Sequence, residues 1–259
     1  MIQKKTQLIL ACIFGNILEW YDFALYSVFS LTLAKTFFPA ENLNLALINT
    51  FVVFAIGYFL RPLGGIILGH LGDRTSRRTV LMVSLVMMGL SSSLIGFLPG
   101  YSVIGYLSPI LFILLRIVQG LAIGGEFPAS MVTLVEAAPD KKFVSLMGTL
   151  PFVGAVIGFL SATILANLFL NASSTSIFNI LGWRFLFIIG IFIAYIGWLI
   201  RSKFYFESPR ADLNKVNQTS LPIIELIKHF SPTIGFNILI LATSAIFQGF
   251  LVIYLPTYL

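Results

Sequence analysis

Five charged side chains interrupt the long apolar runs of this sequence: Glu19, Asp22, Arg61, Arg116 and Glu126. A charge at the centre of a membrane-spanning helix costs about 2.5–3.5 kcal/mol on insertion scales, so such groups face a cavity or pair with one another. Glu19 and Asp22 are three residues apart and share a helical face with Asn16 and Tyr26. Counting 1.5 Å per residue puts Glu19 roughly 16 Å into its run, near the middle of a bilayer. Two carboxylates this close cannot both ionise cheaply, and a carboxyl that gains and loses a proton at that depth can couple proton flow to another movement. The plainer alternative is an ion pair that only locks helices together. Arg116 reaches a similar depth, roughly 18 Å from the other side of its own run. Gln119, Ile123, Glu126 and Ser130 continue its face. Arg116 and Glu126 lie about 15 Å apart along one helix, too far to pair. Arg116 therefore calls for a carboxylate on another helix, and Glu19 or Asp22 is at matching depth.

The elements that must hold these residues are membrane helices. Of the 259 residues, 58% are hydrophobic and 10% charged. A soluble domain carries roughly a quarter charged residues, so much of this surface must face lipid. Taking about 20 apolar residues per crossing gives about seven candidate spans. They cover 8–33, 46–69, 79–98, 104–135, 144–168, 183–200 and 233–256. Strand alternation is absent, so the expected class is all-α, a polytopic bundle of six spans over 1–200 followed by a loop at 201–232 and a seventh helix in 233–259. The fourth span is long and is expected to tilt or protrude. Glycine pairs at Gly65 and Gly69, Gly120 and Gly124, and Gly154 and Gly158 permit close helix approach.

Basic residues alternate between loops. Lys4, Lys5, Arg74, Arg77, Arg78, Lys141, Lys142, Arg201, Lys203, Arg210, Lys215 and Lys228 fall in one set, and only Lys35 and Arg184 in the other. The positive-inside rule then places the N-terminus in the cytoplasm and, with an odd number of spans, the C-terminus outside. The net charge of +6 is thus a topology signal, and no nucleic-acid partner is expected. Lys4 and Lys5 before an apolar run resemble a signal peptide, but Glu19, Asp22 and the lack of a small-residue cleavage site favour a retained first helix. In the 201–232 loop, Leu221–Phe230 has the spacing of a short helix lying on the membrane surface. Asn237, Ser244 and Gln248 fall near one face of the seventh span. The lone Cys12 forms no intrachain disulfide, and His70 and His229 are the only histidines. No metal cluster, phosphate loop or nucleophile–base pair stands out, so neither a cofactor nor an enzymatic activity is expected.

The loop after the second span reads Gly69-His70-Leu71-Gly72-Asp73-Arg74-Thr75-Ser76-Arg77-Arg78. It resembles the major facilitator signature between the second and third helices. Asp73 is expected to accept hydrogen bonds at a helix end while the arginines stay at the membrane surface. The family pattern has Gly where this chain has Ser76, which leaves the tight turn open to question. Gly15-Asn16 with Glu19-Trp20-Tyr21-Asp22-Phe23 resembles the first helix of the metabolite:proton symporter group. So do Arg61-Pro62-Leu63-Gly64-Gly65, Gln119-Gly120 with Gly124-Gly125-Glu126, Pro139-Asp140-Lys141-Lys142 and Gly182-Trp183-Arg184. Phe206-Glu207-Ser208-Pro209-Arg210 resembles a further carrier signature. The pattern is most similar to that of proline/betaine transporters.

The resemblance implies two six-helix bundles around a central cavity lined by the first and fourth helices, in the cell (inner) membrane. It implies proton symport of a small zwitterion or organic acid. Pro151, Gly154 and Gly158 are only a loose echo of the antiporter motif, which favours symport. Glu19, Asp22, Arg116, Asn16, Tyr26 and Gln119 would form the coupling and substrate cavity. Gly69, Asp73, Arg74, Arg77, Arg78 and Glu126 would form the conformational motif. The family has about twelve spans and this sequence stops after the seventh, so the expected partners include a separately encoded second half or another copy, besides solute, protons and lipid. Three readings stay open: a proline- or betaine-type carrier, a dicarboxylate or other organic-acid carrier, and a remnant that inserts but moves nothing.

Overall fold

A computed structural model describes residues 2–39, 42–171, 176–203, 222–251 and 255. Among them, helices and turns occur but no strand. The helices are α1 (Ile2–Val28), α2 (Ser30–Phe37), α3 (Leu43–Phe59), α4 (Arg61–Arg74), α5 (Arg77–Phe97), α6 (Tyr101–Ile104), α7 (Leu107–Glu136), α8 (Val144–Asn171), α9 (Ser176–Lys203) and α10 (Pro222–Gly249). Among the described residues, six segments are long and apolar enough to cross a membrane by length and composition: Thr6–Val28, Leu43–Arg74, Arg77–Phe97, Leu107–Glu136, Lys141–Leu170 and Gly182–Lys203.

Local chemistry explains the breaks. The first apolar run turns at Phe29 and resumes as α2, so 8–33 is not one helix. α3 begins on Asn42, whose side chain accepts from the amides of Asn44 and Leu45, satisfying donors that the first turn leaves free. The second crossing is broken at Leu60, and Pro62 sits in the first turn of α4, where its missing N–H costs nothing. Gly105 has φ +55°, the left-handed region that glycine tolerates, and this turn separates α6 from α7. The fourth crossing therefore starts at Leu107 rather than 104 and keeps 30 residues.

The chain divides into two units, residues 1–209 and 210–259. In the first, α1 packs on α8 and α9, and α7 packs on α3, α4, α5 and α8. Small residues let these backbones meet. A Cβ on Gly124 would overlap the carbonyl of Arg61, and one on Gly158 the carbonyl of Ile17. Gly69 has no such role, since nothing lies within 4 Å of where its Cβ would be. The core includes Leu18, Leu85, Met88, Ala122 and Ala194. Elsewhere in this unit Phe37 stacks on Phe112 at 4.6 Å with Trp183 edge-on at 5.9 Å. Outward faces carry Phe59, Val156 and Phe192, an apolar surface suited to hydrocarbon.

In the second unit α10 is one continuous helix. Residues 222–230 of the expected surface helix and 233–249 of the expected seventh span thus lie on a single element, because Pro232 removes one backbone hydrogen bond without ending the helix. Asn237 and Thr243 donate to the carbonyls of Thr233 and Leu239, one turn back, so their polarity is absorbed by their own backbone. The side chains of Ser244 and Gln248 lie outside the described residues, as does the Phe206–Arg210 signature.

Candidate functional site

The in-span charges separate into two buried clusters. The first lines a pocket between α1, α3, α4 and α7 that includes Glu19, Asp22, Arg61, Arg116 and Gln119. Asp22 is the best-satisfied group in it. Arg116 Nη1 donates to Oδ2 at 2.9 Å, while Ser92 Oγ and Gln119 Nε2 donate to Oδ1 at 2.7 and 3.1 Å. The Arg116 Nη1 also donates to Gln119 Oε1 at 2.6 Å. Its guanidinium lies 3.9 Å from the centre of the Tyr26 ring and 5.3 Å from that of Phe54. Those ring faces stabilise a cation that the bilayer would otherwise penalise. The expected carboxylate partner of Arg116 is thus Asp22.

Glu19, one helical turn away, goes elsewhere. Arg61 approaches it at 3.5 Å, and the Arg61 guanidinium stacks 4.0 Å from the centre of Tyr58. The two carboxylates therefore line one pocket with different arginine partners, Asp22 with Arg116 and Glu19 with Arg61. Arg61 stood out in the sequence only as a charge out of place; its partner depends on how α4 packs.

Asn16 and Tyr26 share the face of Glu19 and Asp22 but do not line the pocket. Asn16 donates to Cys12 O and Ser130 Oγ, and Tyr26 donates to Thr50 O at 2.6 Å beneath Arg116. Both are fully buried supports. A shared face on a helix this enclosed contacts different neighbours at different heights, so only part of it reaches open space.

The second cluster is built on Glu126. Its carboxylate receives Arg201 through both terminal nitrogens, and Ser84 Oγ donates to it as well. Arg201 also donates from Nε to Ala11 O at 2.9 Å and from Nη1 to Leu81 O. Neither side chain of the pair is exposed. A Cβ on Gly15 would overlap both, so the glycine makes room for the pair. Glu126 is therefore apart from the loop motif with which the resemblance grouped it, and Arg201 is a buried partner rather than a loop charge. One signal was available. A lone in-span carboxylate demands a cation, and Arg201 directly ends the sixth apolar run.

In the loop between α4 and α5, Ser76 has an extended backbone (φ −162°) and its Oγ accepts from the Thr79 amide. It caps α5, so no glycine is required there and the turn is intact. The helix-end acceptor is Ser76, not Asp73; Asp73 and Arg74 are exposed. Arg77 pairs with Glu136 at 2.8 Å, and Arg78 donates to Ser202 O at 2.8 Å. Arg184 donates to the carbonyls of Gly96 and Leu98, closing the end of α5.

A bundle of long apolar helices with paired charges at mid-depth defines a multi-pass membrane protein. Residues 8–216 match the sugar (and other) transporter family, and the chain belongs to that major facilitator family. It is 35% identical over 263 residues to the protein called "Putative proline/betaine transporter" of Staphylococcus haemolyticus, covering 99% of this chain and 54% of that one. It is 35% identical over 221 residues to the shikimate transporter of Escherichia coli, covering 83% of this chain and 50% of that one. The inward-open xylose transporter XylE from E. coli superposes with TM-score 0.75 at 22% identity, over 98% of this chain and 64% of that one. The chain spans about half the length of the curated relatives it matches.

Proposed function

We propose that this bundle forms one wall of a proton-coupled carrier for a small zwitterionic solute of the proline or betaine type. It sits in the cell inner membrane with its N-terminus in the cytoplasm, the orientation the positive-inside rule favours. The observation that carries the reading is the buried Asp22–Arg116 pair at the pocket wall. Protonation of Asp22 would cancel its attraction for Arg116, and a change of partner there can bias two arrangements of the bundle. The pocket holds two carboxylates and two arginines, Glu19, Asp22, Arg61 and Arg116. Their charges sum to zero, which suits a zwitterion better than a dicarboxylate. Alternating access needs a second bundle opposite the first. Further sequence, a separately encoded half or another copy of the chain could supply it.

The test joins residues 1–209 to the second bundle of a full-length relative and follows uptake of labelled proline, betaine and succinate in cells under an imposed pH gradient. Accumulation of a zwitterion that Asp22→Asn abolishes, with exchange retained, is the expected result. Accumulation of succinate alone would transfer the reading to organic acids. No uptake of any solute by a well-inserted chimera would favour the non-transporting alternative.

A further inference from the structure

The two arginines of the pocket differ in what they can still do, and so do the two carboxylates. Arg116 is enclosed, with its side chain 6% exposed, Nη1 committed to Asp22 and Gln119, and its face covered by Tyr26. Its Nε has no hydrogen-bond partner among the described residues, but it lies inside this enclosure. The Arg61 side chain is 27% exposed, its one ionic contact is the 3.5 Å approach to Glu19, and its Nε also lacks a partner among the described residues. Asp22 accepts three hydrogen bonds. Glu19 is 3% exposed, and its Oε2 is buried without a hydrogen-bond partner among the described residues. A buried polar oxygen without a hydrogen-bond partner is costly, and such groups call for an explanation.

We propose that Glu19 and Arg61 form the recognition subsite for the two charged ends of the solute, Arg61 donating to a carboxylate and Glu19 accepting from an ammonium that bears N–H. This rests on the transport reading and adds to it which residues read the solute. Charge-assisted hydrogen bonds run about 2.7–2.9 Å, so the 3.5 Å Glu19–Arg61 contact is a loose one. A zwitterion between them replaces that contact with two short ones and leaves the local charge at zero. Stacking on Tyr58 at 4.0 Å holds the Arg61 guanidinium plane, and the break at Leu60 sets Arg61 at the start of α4, beside the pocket. Phe23, Phe54 and Tyr58, whose rings touch at 5.1–6.0 Å, offer the apolar wall for a small ring or alkyl body.

The subsite distinguishes solutes by the substitution of their nitrogen. Oε2 of Glu19 needs a hydrogen-bond donor. A primary or secondary ammonium supplies one, whereas a fully methylated nitrogen has none and gains only charge attraction and ring contacts. Solutes with N–H on the nitrogen are therefore preferred over quaternary ones of the same shape.

The experiment measures the affinity of the purified chain in lipid nanodiscs for three matched probes: L-proline, N,N-dimethyl-L-proline and cyclopentanecarboxylate. On the unsubstituted chain proline binds about tenfold or more tighter than either analogue, the value of one charged hydrogen bond. Glu19→Gln, which takes away the charge, weakens proline most and the dimethyl analogue less, so the preference shrinks, and leaves cyclopentanecarboxylate little changed, while Arg61→Gln weakens all three. Arg61→Lys, which keeps charge but not the planar donor set, falls between. Equal affinity for proline and its dimethyl analogue, or an unchanged proline preference in Glu19→Gln, overturns the subsite. So does the failure of all three probes to bind. Uptake by the chimera separates the two ideas. Uptake with no effect of Glu19→Gln on the preference overturns the subsite alone. The predicted binding pattern without uptake supports the subsite and overturns the transport reading.

Discussion

The Glu126–Arg201 pair can be tested by unequal removal of its halves. Neither side chain is exposed, and Arg201 ties α9 to α7 through Glu126, to α1 through Ala11 O and to α5 through Leu81 O. Breaking a buried pair by deleting one partner costs about 3–5 kcal/mol, because the other charge stays buried without compensation. For a chain of this size that corresponds to a fall in midpoint of about 6–20 °C. Glu126→Leu costs more than Arg201→Met. A stranded arginine cannot shed its charge, whereas a stranded carboxyl can be neutralised by a proton. The double variant, with both charges replaced by apolar groups of similar volume, sits above either single one. Gly15→Ala adds a specific check. Its Cβ would overlap Glu126 Oε1 and Arg201 Nη2, so it destabilises the unsubstituted chain and much less the double variant. The assay is thermal unfolding of the chain in detergent, followed by tryptophan fluorescence. Single variants that lose less than about 1 kcal/mol, or a double variant worse than both singles, would refute the buried-pair reasoning.

Three further outcomes can be measured. Gly124→Ala, whose Cβ would strike the Arg61 carbonyl, lowers the thermal midpoint, whereas Gly69→Ala, facing open space, leaves it level or raises it slightly by the helical preference of Ala; equal losses at both would contradict the packing. Ser76→Ala removes the cap of α5 and costs about 1 kcal/mol, and Ser76→Gly costs only a few tenths, a difference readable in the same unfolding assay. For topology, a cysteine at position 142 reacts only with reagent on the cytoplasmic side and one at position 172 only from outside, in a background lacking the buried Cys12; labelling of both from one side would reverse the assignment.

Several features could be read without any coordinates because they depend on residue type along one helix. Low charge density and runs of about 20 apolar residues dictate membrane crossing, since buried peptide groups there must be satisfied within the helix. The expense of a charge in hydrocarbon marked Glu19, Asp22, Arg61, Arg116 and Glu126 in advance. Rise per residue matched the depth of Arg116 to a carboxylate on α1 and excluded a direct Arg116–Glu126 pair.

Which charge meets which was decided only in the tertiary structure. Depth left both Glu19 and Asp22 open to Arg116, and lateral packing assigned Asp22 because Ser92 on α5 and Gln119 on α7 converge on it. Arg61 met Glu19 because the Leu60 break sets the start of α4 beside α1. Arg201 looked like a boundary charge, since position along the chain does not reveal that α1, α5 and α7 close over the end of α9. Gly69 and Gly124 belong to the same kind of small-residue pair, yet only Gly124 lies where two backbones meet. Periodicity determines which residues share a face and at what height. It carries no information about the neighbour across that face, because that contact joins residues about a hundred positions apart and depends on how the helices rotate against each other as they pack.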